Sequence, residues 1–313
     1  MIIPTESYLK VQYELRPAKQ VERRMLIEAL QMMSSVGFPI SDYKYTGFGS
    51  IYFVDFILFH KLLGIQRMLS VEHSDNIKKR VKFNRPFDCI DVEFGPIGDF
   101  LPSLSPDQKH ILWLDYDDIL NRSQVEDILL ATTYLSTGSI LLVTVDVEPP
   151  GKNEGPEEWR DHFVAEASKF LGSAMISDFA KSNLPKLNAG IIERVIEDGL
   201  SARGNVGFIP LFNFLYADGH QMLTVGGVIG SNSERRLLRA SKLEEQNYIR
   251  LDLKADPFLI RVPSITRKER FHLDSSMPCS ATWKPKQFEM RAEDISDYRE
   301  IYRFFPAYAE LLL

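Results

Sequence analysis

The chain has 313 residues, of which 44% are hydrophobic and 26% charged, and its net charge is −6 at pH 7. This composition is typical of a folded globular protein and excludes a disordered chain. No apolar stretch reaches the roughly 18–20 residues of a membrane span, and residues 1–10 lack the pattern of a signal peptide. Cys89 and Cys279 form neither a CxxC pair nor a disulfide framework. We therefore expect a cytoplasmic protein without membrane attachment.

Apolar runs alternate with helical patterns over the first half of the chain. Residues 14–33 carry apolar side chains at helical spacing, and Pro17 suits the first turn of that helix. Predicted strands follow at residues 43–46, 67–72, 90–94, 110–114 and 139–145. Predicted helices lie between them at residues 51–63, 76–82 and 126–135. This alternation predicts a mainly parallel sheet with helices on both faces.

The second half of the chain closes the predicted sheet with a hairpin. Two helices are predicted at residues 157–170 and 187–198, and two apolar runs follow at residues 208–216 and 222–229. Asp218-Gly219 between those runs is a hairpin signal. A capping box at Thr266 and Glu269 predicts a helix start, and a last helix is predicted over residues 294–311. Its Tyr298, Tyr302, Phe304, Phe305 and Tyr308 are expected to pack on the core or to form a homodimer interface.

The predicted fold is therefore an α/β, Rossmann-like, mainly parallel sheet that ends in an antiparallel hairpin. We expect residues 1–232 to form this domain with its N-terminal helix, and residues 233–313 to form a small C-terminal extension packed on the core.

Two features next to the first two strands are typical of a nucleotide-like ligand site. Gly47-Phe48-Gly49 follows the first strand, and glycines there let the backbone approach a ligand. Glu72 ends the second strand a little over 20 residues later, where such folds place an acid that binds ribose hydroxyls. A tight turn without a ligand and a solvated carboxylate are the alternatives.

Acidic residues follow the fourth and fifth strands. Asp115-Tyr116-Asp117-Asp118 comes after strand four, and Asp146 ends strand five, so we expect Asp115 and Asp146 to lie side by side. They could orient an acceptor or share a proton, or they could simply cap helices. His73 and His110 are weaker candidates for moving a proton.

The order of these features resembles that of class I S-adenosylmethionine-dependent methyltransferases over roughly residues 40–230. The runs Tyr45-Thr46-Gly47-Phe48-Gly49-Ser50, Phe53-Val54-Asp55-Phe56 and Trp113-Leu114-Asp115-Tyr116-Asp117 resemble more narrowly a bacterial group of O-methyltransferases. The resemblance implies S-adenosylmethionine as the cofactor and no metal. It implies a set of cofactor-binding residues: Thr46, Gly47, Phe48, Gly49, Ser50, Glu72, His73 and Asp115. It implies catalytic roles for Asp115, Tyr116 and Asp117, with Asp115 or Asp117 removing the acceptor's proton.

The acceptor is expected near basic residues and Asp146. Lys78, Lys79, Arg80, Lys82 and Arg85 follow Glu72, and the first helix adds Arg16 and Lys19. We select Arg16, Lys19, Arg85 and Asp146 as substrate-binding residues for a small or phosphate-bearing acceptor. A nucleic-acid acceptor is less favoured, because a charge run is usually a solvated helix face and the chain is acidic overall.

Two other functions remain open at this point. A nicotinamide-dependent oxidoreductase is disfavoured by the absence of a third glycine and by the final hairpin. A binding module that has lost catalysis is favoured by one departure from the methyltransferase pattern. Tyr45 and Thr46 stand before Gly47, where these enzymes usually have an acid.

Overall fold

Eight strands form a single sheet in the computed structural model, which describes residues 15–151 and 153–306. They are β1 Lys44–Gly47, β2 Arg67–Glu72, β3 Ile90–Phe94, β4 His110–Ile119, β5 Ile140–Asp146, β6 Gly207–Ala217, β7 Gln221–Gly230 and β8 Phe258–Ile260. Their spatial order is β3-β2-β1-β4-β5-β7-β6-β8. Strands β1 to β5 are parallel, and β7 runs antiparallel to both β5 and β6. The predicted Rossmann-like sheet with a closing hairpin is confirmed.

Helices cover both faces of this sheet. They are α1 Pro17–Ser35, α2 Val54–Leu63, α3 Lys78–Asn84, α4 Arg122–Tyr134, α5 Pro156–Ala167, α6 Leu184–Leu200, α7 Asn232–Ala240, α8 Arg267–Asp274 and α9 Ala292–Ile301. None of these described helices is long and apolar enough to cross a membrane.

The core has two halves because successive strand residues point to opposite faces. Ile111 and Trp113 of β4 pack with α1, α2 and the C-terminal elements, whereas Leu112 and Leu114 pack with α4, α5 and α6. Strand β5 is buried along its whole length. A strand covered on both sides reads as a continuous apolar run, which is why the sequence predicts it well.

The structure differs from the predicted elements at several places. Helix α2 begins at Val54 rather than at residue 51, because Ser50 and Phe53 both have a φ of 51°, in the left-handed region. Helix α7 and strand β8 were not predicted. The last helix ends at Ile301, and residues 307–311 of that prediction, with Tyr308, lie outside the described residues.

The C-terminal segment contributes to the sheet itself. Strand β8 pairs in parallel with β6, with Phe258 opposite Phe214. Leu273 of α8 and Tyr298 of α9 belong to the same hydrophobic cluster as α1. The division into two domains at residue 232 remains a prediction.

One edge of the sheet gathers the ends of six connected strands. The carboxyl ends of β2, β1, β4 and β5 meet there, and the β6–β7 hairpin turns at the same edge. Asp146 at the end of β5 is opposite Met222 of β7, and the Val147 N–H donates to the Gln221 carbonyl at 2.8 Å. Ligands in open α/β sheets bind outside this edge, so the candidate site lies there.

Candidate active site

The turn after β1 is tied to the end of β2. The Gly49 N–H donates to Ser70 Oγ at 3.0 Å, and the Ser50 N–H donates to Glu72 Oε1 at 2.7 Å. The Ser70 hydroxyl also donates to Glu72 Oε1, at 2.9 Å. These three bonds fix the position of the turn relative to Glu72.

Close packing explains why glycines occupy this turn. A Cβ atom at Gly49 would lie 2.6 Å from Ser70 Oγ and 2.7 Å from the ring of Phe53. A Cβ atom at Gly47 would lie 2.7 Å from the Tyr45 hydroxyl. All three distances are too short for a Cβ atom, so any other residue would force the turn or these side chains to move.

Glu72 is a buried carboxyl group at the predicted ribose position. It is only 8% exposed. Burial raises its pKa, and the hydrogen bonds from Ser70 and Ser50 act in the opposite direction but do not cancel this effect. A carboxylate fixed in this way can accept hydrogen bonds from two neighbouring hydroxyls. His73, the next residue, is exposed.

Strand β4 continues past its predicted end through an irregular segment. Asp115 is opposite Thr144, but Ile119 is opposite Asp146, so four positions along β4 match two along β5. Tyr116 and Asp117 therefore lie in a bulge at the edge of the sheet. The predicted strand ends at residue 114, because the charged run Asp115–Asp118 lacks the apolar alternation of a strand.

Tyr116 forms one wall beside the glycine turn. Its ring centroid lies 5.5 Å from that of Phe48, and its hydroxyl donates to Asp127 Oδ2 at 2.8 Å. Burial and the neighbouring Asp127 carboxylate raise the pKa of Tyr116 well above its usual value, so the hydroxyl stays protonated. Asp117 is exposed at the same bulge.

Helix α1 places a buried lysine against Asp115. Lys19 Nζ lies 2.6 Å from Asp115 Oδ1, 2.9 Å from Glu22 Oε2 and 3.0 Å from the Tyr216 hydroxyl. It also lies 4.3 Å from the centre of the Trp113 ring, a cation–π distance. The three N–H bonds of the ammonium group are thus directed at protein atoms.

The pKa shifts around Lys19 follow from this geometry. Burial lowers the pKa of Lys19, but the Asp115 and Glu22 carboxylates outweigh burial and raise it. Burial raises the pKa of Asp115, but Lys19 and Arg16 outweigh burial and lower it. Burial dominates at Glu22 and raises its pKa. Asp115 is therefore ionised and a weak base, which does not suit it to removing a proton.

Three charged residues of α1, which we call its polar stripe, face the protein interior instead of the solvent: Lys19, Glu22 and Arg23. Lys19, Glu22 and Arg23 are at most 2% exposed, and Arg23 forms an ion pair with Asp55 of α2. Buried charges persist in folded proteins when they are paired. The partners come from distant parts of the sequence, so the stripe alone could not show them.

The β6–β7 hairpin holds the start of α1. Asp218 accepts hydrogen bonds from the Ala18 N–H at 3.0 Å and the Lys19 N–H at 2.9 Å, which caps the helix. Arg16 Nε lies 3.9 Å from Asp218 Oδ2. The structure thus brings Arg16 and Lys19 to the same edge as Asp115. The prediction that Lys19 binds the substrate does not fit, because Lys19 is fully buried and its ammonium group contacts protein atoms.

Asp146 pairs with a residue that the sequence analysis did not select. Its Oδ2 lies 2.8 Å from His220 Nδ1, and its Oδ1 accepts from the Glu148 N–H at 2.7 Å. Asp146 does not lie directly beside Asp115 as predicted, because Asp115 is opposite Thr144, two residues before Asp146 on β5. One sequence signal could have identified His220 as a site residue. It directly follows the Asp218-Gly219 turn, and the turn of such a closing hairpin lies at the carboxyl edge of the sheet.

Arg85 does not lie at this edge. Its guanidinium donates to the carbonyl of Ile90, the first residue of β3, and pairs with Asp88 at 3.1 Å. The amino end of β3 is opposite the candidate site. Within residues 15–151 and 153–306, no group of three or more His, Cys, Asp or Glu residues could hold a metal ion.

Comparison with known proteins gives a family match and several similar structures. The model of the family described as "Putative O-methyltransferase" matches residues 11–313. No curated protein matches the chain. The O-methyltransferase TomG from Streptomyces achromogenes, solved in complex with SAM, is 13% identical; the match covers 65% of this chain and 80% of that chain, with a TM-score of 0.37. A Klebsiella pneumoniae structure described as "a putative O-methyltransferase" is 13% identical; the match covers 72% of this chain and 92% of that chain, with a TM-score of 0.37. The fibrillarin pre-rRNA processing protein from Methanococcus jannaschii is 12% identical, with 62% and 70% covered and a TM-score of 0.36.

Proposed function

We propose that this chain, which belongs to the O-methyltransferase family whose model it matches, binds S-adenosylmethionine and transfers the methyl group to an acceptor hydroxyl. The family match supports the reaction class. The geometry of the carboxyl edge supports the cofactor.

The observation that carries the cofactor assignment is the link between Glu72 and the glycine turn. Glu72 is held by the Ser50 N–H at the position where a ribose would lie against the turn. The cofactor's adenosine offers a vicinal diol, which a carboxylate binds with two hydrogen bonds. The residues present therefore fit the adenosyl half of the group.

The order of the strands then gives the direction of the cofactor. Since β2 and β4 lie on opposite sides of β1, a ribose at Glu72 places the amino-acid end towards β4. Asp115 ends that side of the site, and its lowered pKa keeps it negative. We assign Asp115 to the α-ammonium group, in place of the acid that Tyr45 and Thr46 do not supply.

The protein's own part in the reaction is orientation and removal of a proton. A bound sulfonium cofactor supplies an activated methyl group, so the acceptor oxygen must be held in line with that methyl carbon. Phe48 and Tyr116 form the apolar wall beside it. Lys19 holds Asp115 in place, and the acceptor side is bordered by Arg16, Asp117 and Asp146.

The two cysteines, which are both free, support a cytoplasmic location.

Calorimetry tests the cofactor assignment without an acceptor. We expect the wild-type chain to bind S-adenosylmethionine and S-adenosylhomocysteine, and not NAD. Glu72→Gln removes charged hydrogen bonds worth about 1.5–3 kcal/mol, so affinity should fall roughly 10- to 150-fold. Glu93→Gln is the matched control, because Glu93 is exposed on the neighbouring strand β3. Binding of NAD alone, or unchanged affinity in Glu72→Gln, would contradict the assignment.

A second ligand separates the two ends of the cofactor. 5′-Methylthioadenosine has the adenosine and the thioether but lacks the amino-acid end. Asp115→Asn should weaken binding of S-adenosylhomocysteine and leave binding of 5′-methylthioadenosine unchanged, whereas Glu72→Gln should weaken both. Equal losses for both ligands in Asp115→Asn would show that Asp115 does not bind the ammonium group.

A further inference from the structure

The Asp146–His220 pair lies on the acceptor side of the carboxyl edge. Strand β5 lies next to β4 in the sheet, and β7 lies next to β5, so Asp146 and His220 stand beyond Asp115 on the side away from Glu72. The same hairpin caps α1 through Asp218, and Asp146 is opposite Ile119, directly after the bulge of β4. The pair therefore lies near both the start of α1 and that bulge.

The pair has the geometry of an oriented base. The Asp146 side chain is 8% exposed and is itself fixed by the Glu148 N–H, whereas the His220 side chain is 73% exposed. Because Nδ1 lies 2.8 Å from Asp146 Oδ2, a neutral ring carries its proton on Nδ1. The ring nitrogen opposite Asp146, Nε2, then holds the lone pair and is the nitrogen that can take a proton.

We propose that His220 is the general base of the methyl transfer and that Asp146 is its positioning residue. This inference rests on the proposed function. The acceptor hydroxyl oxygen forms a bond to the methyl carbon, and the bond between that carbon and sulfur breaks. The electron pair of the broken bond stays on sulfur, which becomes a neutral thioether, and the hydroxyl proton passes to His220 Nε2. Asp115 is left to bind, because its pairing with Lys19 makes it a weak base.

Nuclear magnetic resonance of the full-length protein tests the pair directly. We expect the neutral His220 ring of the wild type to show the Nδ1–H tautomer, and Asp146→Asn to lower the share of that tautomer. A wild-type ring protonated on Nε2, or a tautomer that Asp146→Asn does not change, would overturn the proposal.

Turnover of probe phenols tests the base itself, with formation of S-adenosylhomocysteine as the measurement. At about pH 8, phenol keeps its proton, whereas 4-nitrophenol has largely lost it. His220→Asn should lower kcat with phenol about 100-fold or more and change kcat with 4-nitrophenol much less, with little effect on KM. His272→Asn is the control, because the His272 ring lies against Trp283 and Phe288, which are not part of the candidate site.

The outcomes separate this proposal from the cofactor assignment. Equal loss of kcat with both phenols in His220→Asn would show that His220 supports the structure and is not a base. A wild-type chain that binds S-adenosylhomocysteine but methylates no phenol would also count against it. Failure of the proposed function is recognised separately, because the wild-type chain would then bind neither S-adenosylmethionine nor S-adenosylhomocysteine in calorimetry.

Discussion

Lys19→Met removes the cation at the centre of the buried charge cluster and replaces it with an unbranched apolar side chain of similar length. In the wild-type chain, Lys19 is fully buried and pairs with Asp115 at 2.6 Å and with Glu22 at 2.9 Å. The substitution leaves the Asp115 carboxylate, whose side chain is 18% exposed, without its principal partner.

The size of the effect follows from the burial of the pair. Removing one partner of a buried ion pair costs about 3–5 kcal/mol, because the other charge stays in a poorly solvated place. An exposed pair is worth only about 0–1 kcal/mol. Lys169 and Asp198 form such an exposed pair at 2.7 Å, with side chains 68% and 37% exposed, so Lys169→Met is the matched control.

Urea unfolding at pH 7 measures both variants. We expect Lys19→Met to lower the free energy of unfolding by several kcal/mol and Lys169→Met by less than about 1 kcal/mol. Adding Asp115→Asn to Lys19→Met should restore part of the loss, because the stranded carboxylate is then gone. A loss in Lys19→Met no larger than in Lys169→Met, or no recovery in the double variant, would refute the reasoning.

Three further predictions concern a histidine, the glycine turn and the cap of α1. Burial lowers the pKa of His110 from 6.5 to about 4. Between these two pH values the unfolded chain binds a proton that the folded chain does not, so the free energy of unfolding falls as the pH drops from 6.5 towards 4, by at most about 3 kcal/mol. His110→Gln should make the free energy of unfolding, measured by urea unfolding at a series of pH values, less dependent on pH in that range. Gly49→Ala should cost about 1–3 kcal/mol and weaken binding of S-adenosylhomocysteine, whereas Gly207→Ala, where a Cβ atom meets nothing within 4 Å, should do neither in the same assays. Asp218→Ala should cost about 0.5–2 kcal/mol and speed amide exchange at the start of α1, and Asp218→Asn, which can still cap, should lose less; equal exchange in both variants would contradict the role of the cap.

The sequence was sufficient for the parallel sheet and insufficient for the contacts at its edge. Strand β5 is a nearly continuous apolar run, and burial on both faces requires such a run, so its bounds could be predicted closely. The extension of β4 was missed because Asp115 to Asp118 lack strand alternation. Pairing with β5 carries the strand onward despite these side chains.

The candidate site shows the same division. The positions of Gly49 and Glu72 next to the ends of β1 and β2 could be predicted, because the fold fixes where the strands end. Their link through Ser50 and Ser70 was not found, because it depends on the path of one turn. The pairing of Asp146 with His220 joins residues 74 positions apart, and that of Lys19 with Asp115 joins residues 96 apart. No local pattern encodes such contacts.

The capping of α1 by Asp218 has a consequence for the order in which the protein assembles. The two capping bonds join residues 200 and 199 positions apart, so α1 gains its cap only when the β6–β7 hairpin, which carries Asp218, has formed. Contacts between residues far apart in sequence form late, because closing a long loop costs entropy before the contact repays it. During synthesis, α1 is made before strand β4, which carries Asp115, and long before the hairpin that caps it. The contact between the start of α1 and the carboxyl edge is therefore completed only after residue 218 has been made.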